Sequence, residues 1–287
     1  MAKNSRIEWT DHTFNPWWGC VKVSPACEHC YAETWAKRLG KNIWGKRADR
    51  RFLSDNNWLQ PLKWNADANA KGQRARVFCA SMADVFEDRR DLDDERQRLF
   101  KMISNTHSLD WLLLTKRTDM IQTLAPWGAS WPDNVWIGTT VEDQRRANER
   151  LPLLAKIPAV VRFISAEPLL GPLNLEPWLE NLDWVILGGE SGAKSRPSNP
   201  KWFNDVVNQC VSAGVAVHFK QWGDWGPYDE VVPPIGRSMQ FGNGINMIRT
   251  GKKLAGRVLN GRTWDDLPSP RIAPLSASME IAPITAT

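Results

Sequence analysis

Several things are scarce in this chain, and each scarcity excludes something. Tyrosine is nearly missing: 2 residues in 287, against 17 tryptophans. No stretch approaches the roughly 18 consecutive apolar residues that a membrane-spanning helix needs, so no membrane partner is expected. The first residues, Met-Ala-Lys-Asn-Ser-Arg-Ile-Glu-Trp, lack the apolar core of an export signal, which implies a cytoplasmic protein. In that compartment thiols stay reduced and open to metals. Charge of either sign is not in great excess. The net value of +5 permits a polyanionic partner without requiring one. No Gly-x-Gly-x-x-Gly occurs, and Gly188-Gly-Glu-Ser-Gly192 lacks the Lys-Ser/Thr ending of a phosphate loop. No internal repeat appears beyond an alternation of strand and helix.

Cysteine is also scarce, with 5 in all, yet three fall within eleven residues: Cys20, Cys27 and Cys30. Buried thiols used for packing scatter along a sequence. Clustered thiolates are soft ligands for an iron–sulfur cluster or for zinc. No second Cys-x-x-Cys completes a four-thiolate zinc site, so zinc would have to recruit His12 or His29. A cluster held by three cysteines would keep one iron free for a small ligand. Cys79 and Cys210 lie in apolar stretches and read as core; His107 and His218 are isolated and read as structural.

The rest of the chain is organised as α/β. Helical stretches are expected over 31–39, 93–105, 142–154 and 200–213. The last has Pro200 at an allowed first position and Gly214 just beyond its end. Short apolar strands are expected over 76–81, 111–115, 135–140, 160–165, 184–188 and 215–220, with a weak first strand within 7–15. Residues 41–75 resist assignment apart from a turn or cap at Asp55-Asn-Asn57. The strand starts are separated by 35, 24, 25, 24 and 31 residues, room each time for a loop, a helix and a return. Apolar strands without alternation, spaced by helices, indicate a parallel sheet covered on both faces. The expected fold is a parallel (β/α) barrel, full or partial and TIM-like, formed as one domain over 1–267 with the cysteine loop at 18–32; a doubly wound sheet is the alternative. Residues 221–244, rich in Gly, Pro and Trp, are expected to form a lid or substrate loop. Residues 268–287, rich in Pro, Ser, Ala and Thr, are expected to be a disordered tail.

In a parallel barrel, functional groups gather where the strands end. Here successive strands are followed by Met82-Ala-Asp84, Lys116-Arg117, Val141-Glu142, Glu167-Pro168, Glu190-Ser191 and Gln221-Trp222. A single acid at such a place is usually a helix cap, as Asp84 and Glu142 could be. Six polar strand ends in order point instead to one shared pocket. The Gly188–Gly189 turn can bring backbone N–H groups close to a ligand, or simply turn the chain.

The order of short motifs resembles a phage and prophage family of three-cysteine proteins long described as a domain of unknown function. The matching pieces are Ile7-Glu-Trp-Thr-Asp11 with Asn15-Pro16, the cysteine loop, Ser81-Met-Ala-Asp84, Leu112-Leu-Leu-Thr-Lys-Arg117, Ser165-Ala-Glu-Pro-Leu-Leu-Gly171, Gly188-Gly-Glu-Ser-Gly192 and Phe219-Lys-Gln-Trp-Gly223. Gly19-Cys20, Cys27-Glu-His-Cys-Tyr-Ala32 and Thr115-Lys116 also resemble radical S-adenosylmethionine enzymes of the spore photoproduct lyase-like branch. That resemblance implies a [4Fe-4S] cluster on Cys20, Cys27 and Cys30, with S-adenosylmethionine at the open iron and reductive cleavage to a 5′-deoxyadenosyl radical. It implies that His29, the residue before the third cysteine, contacts the cofactor's adenine. Tyr31, Asp84, Glu142, Gly188 and Gly189, beside the cysteine loop and at the strand ends, are further candidate cofactor contacts, and Lys116, Glu167 and Glu190 are the candidate catalytic residues. The resemblance further implies an electron donor such as flavodoxin or ferredoxin. The chain departs from that pattern in two places: six residues separate its first two cysteines, and Gly188-Gly-Glu190 follows a late strand. A small molecule or nucleotide is the expected substrate, and a nucleic acid also fits. The competing reading is a zinc- or cluster-stabilised nucleic-acid-binding or scaffold protein without catalysis, using basic charge and Trp stacking.

Overall fold

A computed structural model describes residues 2–229 and 236–269. Seven parallel strands form its centre: β1 His12–Thr13, β2 Ala75–Cys79, β3 Leu109–Thr115, β4 Val135–Thr140, β5 Val161–Ala166, β6 Trp184–Gly188 and β7 Ala216–Gln221. Each strand pairs with the next in sequence, and the order never reverses. That order rules out the doubly wound alternative, whose strand order switches direction. The expected strand positions hold to within two residues at either end, and those over 135–140 and 184–188 are met at both ends.

The sheet curls without closing. Trp9 packs on Phe78 of β2 at 4.6 Å and on Trp184 of β6 at 6.1 Å. In a flat sheet those strands would stand about 19 Å apart, four strand spacings, so the sheet must bend around the indole. Among the described residues β1 and β7 do not pair. The outer edge of β1 carries an antiparallel two-residue strand, Ala2–Lys3. The edge of β7 is met by residues 264–266, with Phe219 N donating to Trp264 O and Asp266 N to Val217 O. The fold is therefore a curled half-barrel, the partial form of the expected barrel.

Alternate residues of each strand face opposite sides, and both sides are apolar. Phe78, Leu112, Trp136, Phe163, Trp184 and Ile186 point into the curl around Trp9. Val77, Leu113, Ile137, Ile164, Val185 and Phe219 belong to the larger core beneath the helices. This explains the near-continuous apolar runs in the sequence. Cys79 and Cys210 sit in that larger core, both fully buried.

The helices of eight or more residues are α1 Tyr31–Arg38, α2 Asp55–Ala70, α3 Asp93–Ser104, α4 Gln144–Leu154 and α5 Pro200–Ala213. In α5 the Asn199 side chain accepts from Lys201 N, Pro200 opens the first turn and Gly214 ends the helix at φ 70°. Its buried face is Phe203, Val206, Val207 and Cys210, a helical i, i+3, i+4, i+7 set. In α4 the cap is Asp143, whose carboxylate accepts from Arg146 N at 2.8 Å. The expected start at residue 142 was therefore two residues early, and Glu142 is free for another contact. Helix α2 is the longest element the sequence reading missed. Pro61 lies inside it and asparagines crowd it, yet Trp58, Pro61, Trp64 and Ala68 form a buried stripe. Asp55-Asn-Asn57 is its first turn, not a separate turn. After β7 come β8 Trp225–Pro227, β9 Arg237–Gln240 and β10 Asn246–Arg249, an antiparallel sheet with β10 in the middle. Within the expected lid segment 221–244, Trp225–Pro227 and Arg237–Gln240 are strands of this sheet, and 230–235 lie outside the described residues. Of the expected disordered tail, 270–287 lies outside the described residues. No helix among the described residues is long and apolar enough to cross a membrane.

Candidate functional site

The three clustered cysteines lie over the carboxyl ends of the strands, and contacts from beyond four of those strands, β2, β3, β4 and β6, hold them there. Gly19 N donates to Met82 O just past β2, at 2.9 Å, and Gly45 N donates to Cys20 O at 3.0 Å. Gly19 itself is at φ 115°, and a Cβ there would stand 2.4 Å from Ile43 O, so only glycine fits. Past β3, Arg117 donates to Val21 O at 2.9 Å and to Asp84 Oδ2 at 2.7 Å, with Cys20 Sγ 3.6 Å away. Past β4, Glu142 Oε1 accepts from Ala26 N at 3.3 Å. Past β6, Arg196 donates to Pro25 O at 3.0 Å and to Glu28 at 3.1 Å. Cys30 then takes the position just before α1, with no capping bond from its side chain.

Cys20, Cys27 and Cys30 line one cavity of about 470 Å³. Among the sequence-expected residues, His29, Tyr31, Asp84, Lys116, Glu167, Gly189 and Glu190 line it too. Glu142 and Gly188 do not. Glu142 is fully buried and engaged with Ala26 N and with Arg150 at 3.0 Å, so it braces the cysteine loop from below. Gly188 acts by having no side chain: a Cβ there would come within 2.6 Å of Glu167 Oε1, so the glycine lets Glu167 lie across β6. His12, considered as a fourth zinc ligand, is stacked on Trp64 at 4.5 Å and is not part of the lining. Among the described residues no three His, Cys, Asp or Glu side chains stand close enough together to hold a single metal ion.

Each carboxylate of the lining is already neutralised. Asp84 accepts from Arg117, from Thr115 Oγ1 at 2.7 Å and from two backbone N–H groups, Phe86 and Lys116. Glu167 pairs with Lys220 at 3.0 Å. Glu190 receives three bonds from Arg196, at 2.7, 2.9 and 2.5 Å, and one from His29 Nδ1–H at 3.1 Å. Burial pushes the Glu190 carboxyl up, but these donors outweigh it and leave the pKa below the ordinary carboxylate value. The Cys20 thiol is pushed up to about 12, first by burial and then by Asp84, with Arg117 opposing both. A thiolate at Cys20 therefore needs further positive charge beside it. Arg117 resists losing its proton despite burial, because Asp84 and Cys20 both favour its cationic form.

Arg196 is the residue that sequence reasoning passed over. It joins the Gly188–Glu190 turn to the cysteine loop, yet it sits in a stretch, Ala193-Lys-Ser-Arg-Pro, that carries no periodic signal. Tyr31 donates from its hydroxyl to Ser81 O at 2.9 Å, which fixes its exposed ring at the cavity mouth.

The family described as "Protein of unknown function (DUF5131)" matches residues 4–268. No curated protein matches the chain. Among solved structures, a mutant spore photoproduct lyase with bound AdoMet and dinucleoside spore photoproduct is 11% identical, with a TM-score of 0.44, covering 84% of this chain and 68% of that one. A second mutant of the same lyase is 12% identical at a TM-score of 0.43, covering 87% and 71%. The lyase complexed with dinucleoside spore photoproduct is 12% identical at 0.41, covering 83% and 67%. Overlaps this loose carry no weight for fold or reaction.

Proposed function

The chain belongs to the DUF5131 family, whose description names no reaction, and we propose that it is an iron–sulfur enzyme of the radical S-adenosylmethionine kind acting on a small molecule or nucleotide. One observation carries this reading. Three cysteines of one short loop line a single cavity at the carboxyl ends of a parallel half-barrel, beside an imidazole held by a buried carboxylate. The donor set fits the group. Three soft thiols with no carboxylate among them suit iron–sulfur chemistry and disfavour hard cations. Arg117 beside Cys20 offsets part of the cost of a buried thiolate.

On this reading Cys20, Cys27 and Cys30 would hold a [4Fe-4S] cluster, with S-adenosylmethionine at the iron they leave open. Bound there, the pair supplies one-electron reductive cleavage of the sulfonium, given an electron donor such as flavodoxin or ferredoxin. The chain's own residues set the stage for it. The Glu190–His29 bond fixes the imidazole plane, so that His29 can stack on an adenine. Arg196 keeps Glu190 ionised and ties it to the cysteine loop. The Gly189 backbone and Tyr31 shape the wall nearest the thiols. Asp84, with every lone pair engaged, orients Arg117 and Thr115. Lys116, half-buried and without a carboxylate partner among the described residues, is the group left to meet an anion. Glu167 with Lys220 offers a carboxylate and an ammonium that can exchange a proton with substrate. Glu142 and Gly188 support this arrangement without touching a ligand.

Anaerobic treatment with iron and sulfide should give a brown protein with the broad visible absorbance of thiolate–iron clusters. Alanine at Cys20, Cys27 or Cys30 should abolish the colour, and alanine at Cys79 or Cys210 should not. The coloured protein, given a strong reductant and S-adenosylmethionine, should release 5′-deoxyadenosine slowly even without substrate. A colourless protein carrying stoichiometric zinc would overturn the reading in favour of a zinc-stabilised binding module. An intact cluster that releases no 5′-deoxyadenosine would leave a scaffold.

A further inference from the structure

The cavity is not balanced in charge. Six cationic side chains line it, Arg6, Lys22, Lys116, Arg117, Lys220 and Lys252, against three carboxylates, Asp84, Glu167 and Glu190. Three of the cations are satisfied: Arg117 by Asp84, Lys220 by Glu167, and Lys22 by Glu33 at 2.8 Å. Glu190 is taken by Arg196. That leaves Arg6, Lys116 and Lys252, none of which has a carboxylate partner among the described residues. They arrive from widely separated parts of the chain: ahead of β1, at the end of β3, and after β10. Arg6 and Lys252 are exposed, and Lys116 is half-buried. Surface cations usually find a carboxylate or spread apart. Three that converge unpaired on one cavity have a net charge to give to a ligand.

The deeper wall has the opposite character. Trp9, Thr140 and Gln221 are 2%, 1% and 6% exposed, and Trp9 Nε1, Thr140 Oγ1 and Gln221 Oε1 have no hydrogen-bond partner. Gln221 Nε2 donates to Gly189 O at 3.0 Å, which leaves its carbonyl oxygen as the unused acceptor. Buried polar atoms without partners are rare in folded proteins, because each costs about 1–3 kcal/mol. Trp9, Thr140 and Gln221 all line the cavity, as does Ser191 with its own unpartnered Oγ, and all are neutral groups: one donor, one acceptor and two hydroxyls that can be either.

We propose that the cavity takes a phosphorylated substrate of the nucleoside monophosphate class, its phosphoryl group held by Arg6, Lys116 and Lys252 and its neutral hydrogen-bonding head set against Trp9, Thr140 and Gln221. A dianionic group with several acceptor oxygens can satisfy three cationic donors at once, which a single carboxylate does less well. A planar ring edge that pairs an N–H with a carbonyl would answer Gln221 Oε1 and Trp9 Nε1 together. The proposal rests on the reading above only in taking this cavity as the place where substrate binds.

Calorimetric titration of the purified chain, without added iron or S-adenosylmethionine, tests it. The probes are uridine 5′-monophosphate, uridine and inorganic phosphate. The monophosphate should bind more tightly than uridine, and only its affinity should fall as salt is raised. The paired change Arg6→Gln with Lys252→Gln should weaken the monophosphate at least about tenfold, the loss expected when charged hydrogen-bond partners are removed. It should leave uridine and the melting temperature unchanged, and restoring Lys252 as Arg in that background should recover part of the loss. Equal affinity for uridine and its monophosphate, indifference of the monophosphate to the paired change, or no binding by any of the probes would each overturn the proposal. A chain that fails to cleave S-adenosylmethionine but still shows the charge-dependent binding would defeat the radical-enzyme reading alone.

Discussion

Two regions meet at the cavity, and different forces hold them. The scaffold from β2 to β7 is packed on both faces, with Trp111, Ile137, Phe163, Trp184 and Phe219 all fully buried. The cysteine loop shares only a small apolar cluster, Ala32 with Ala36, Ile43 and Met82, and of its residues 18–32 only Gly19, Ala26 and Ala32 are buried. It is held by directed polar contacts reaching across from the scaffold: Arg117 to Val21, Glu142 to Ala26, Arg196 to Pro25 and Glu28. Packing makes a frame that cannot shift piecemeal. Polar tethers make a loop that is placed accurately yet can adjust when a ligand arrives. On the proposed reading, the contrast would let a soft-ligand group be loaded after folding.

The largest effect should come from breaking the scaffold. Phe163→Ala empties the middle of the curl, and the loss of a fully buried aromatic typically costs about 3–5 kcal/mol. Urea unfolding should show that loss as an earlier midpoint with an unchanged slope, and the cysteine loop should unfold with everything else.

A smaller effect separates the regions by pH. His218 in β7 is buried with its pKa pushed down to about 4, chiefly by burial and only partly offset by Asp265. The unfolded chain takes up a proton near pH 6.5, while the folded chain resists until about pH 4. Stability from this residue is therefore complete above the unfolded value and is lost as pH falls through that window. The total is of the order of 2–3 kcal/mol by linkage. His218→Phe should flatten the urea midpoint over that range. A midpoint that falls just as steeply in the variant would show that His218 is not the group responsible.

The smallest effect on stability should come from cutting a tether. Arg196→Ala leaves Glu190 buried with only His29 beside it and frees Pro25 and Glu28. Arg196 is part-exposed, so the cost is about 1–3 kcal/mol, below that of a fully buried pair. The revealing signal is local. Cys27 should react faster with a thiol reagent, while the buried Cys79 and Cys210 remain protected. The Glu190 carboxyl sits below its ordinary value in the intact protein, so its contribution is full above the unfolded value of about 4.3 and fades as pH falls below it. The variant should lose that acid limb. Unchanged Cys27 reactivity would mean that Arg196 does not hold the loop.

Much of the frame was legible because the signals are local. Pro200 and Gly214 bracket α5, and the apolar runs over 135–140 and 184–188 end where β4 and β6 end. Helix α2 was not legible. Its buried stripe is carried by Trp58 and Trp64 amid asparagines, and its packing on β2 and β3 supplies what the local pattern lacks. The strand-end acids divide the same way. Their occurrence after each strand could be counted, but not their direction. Glu190 lines the cavity and Glu142 lies beneath the loop because β4 and β6 meet different neighbours.

Residue order alone settled that three thiols fall within eleven positions, that strands and helices alternate, and that polar residues follow the strands. These depend on spacing along one chain, where periodicity and capping act over a few residues. Only the folded chain decided that the sheet curls around Trp9 without closing, that Arg196 ties Glu190 to the cysteine loop, and that Arg6, Lys116 and Lys252 converge unpaired on one cavity. Those outcomes depend on which side chains meet across distances of many tens to hundreds of residues, and no local preference encodes such a meeting. It is set when burial of both faces of the sheet brings the strand ends to a common rim.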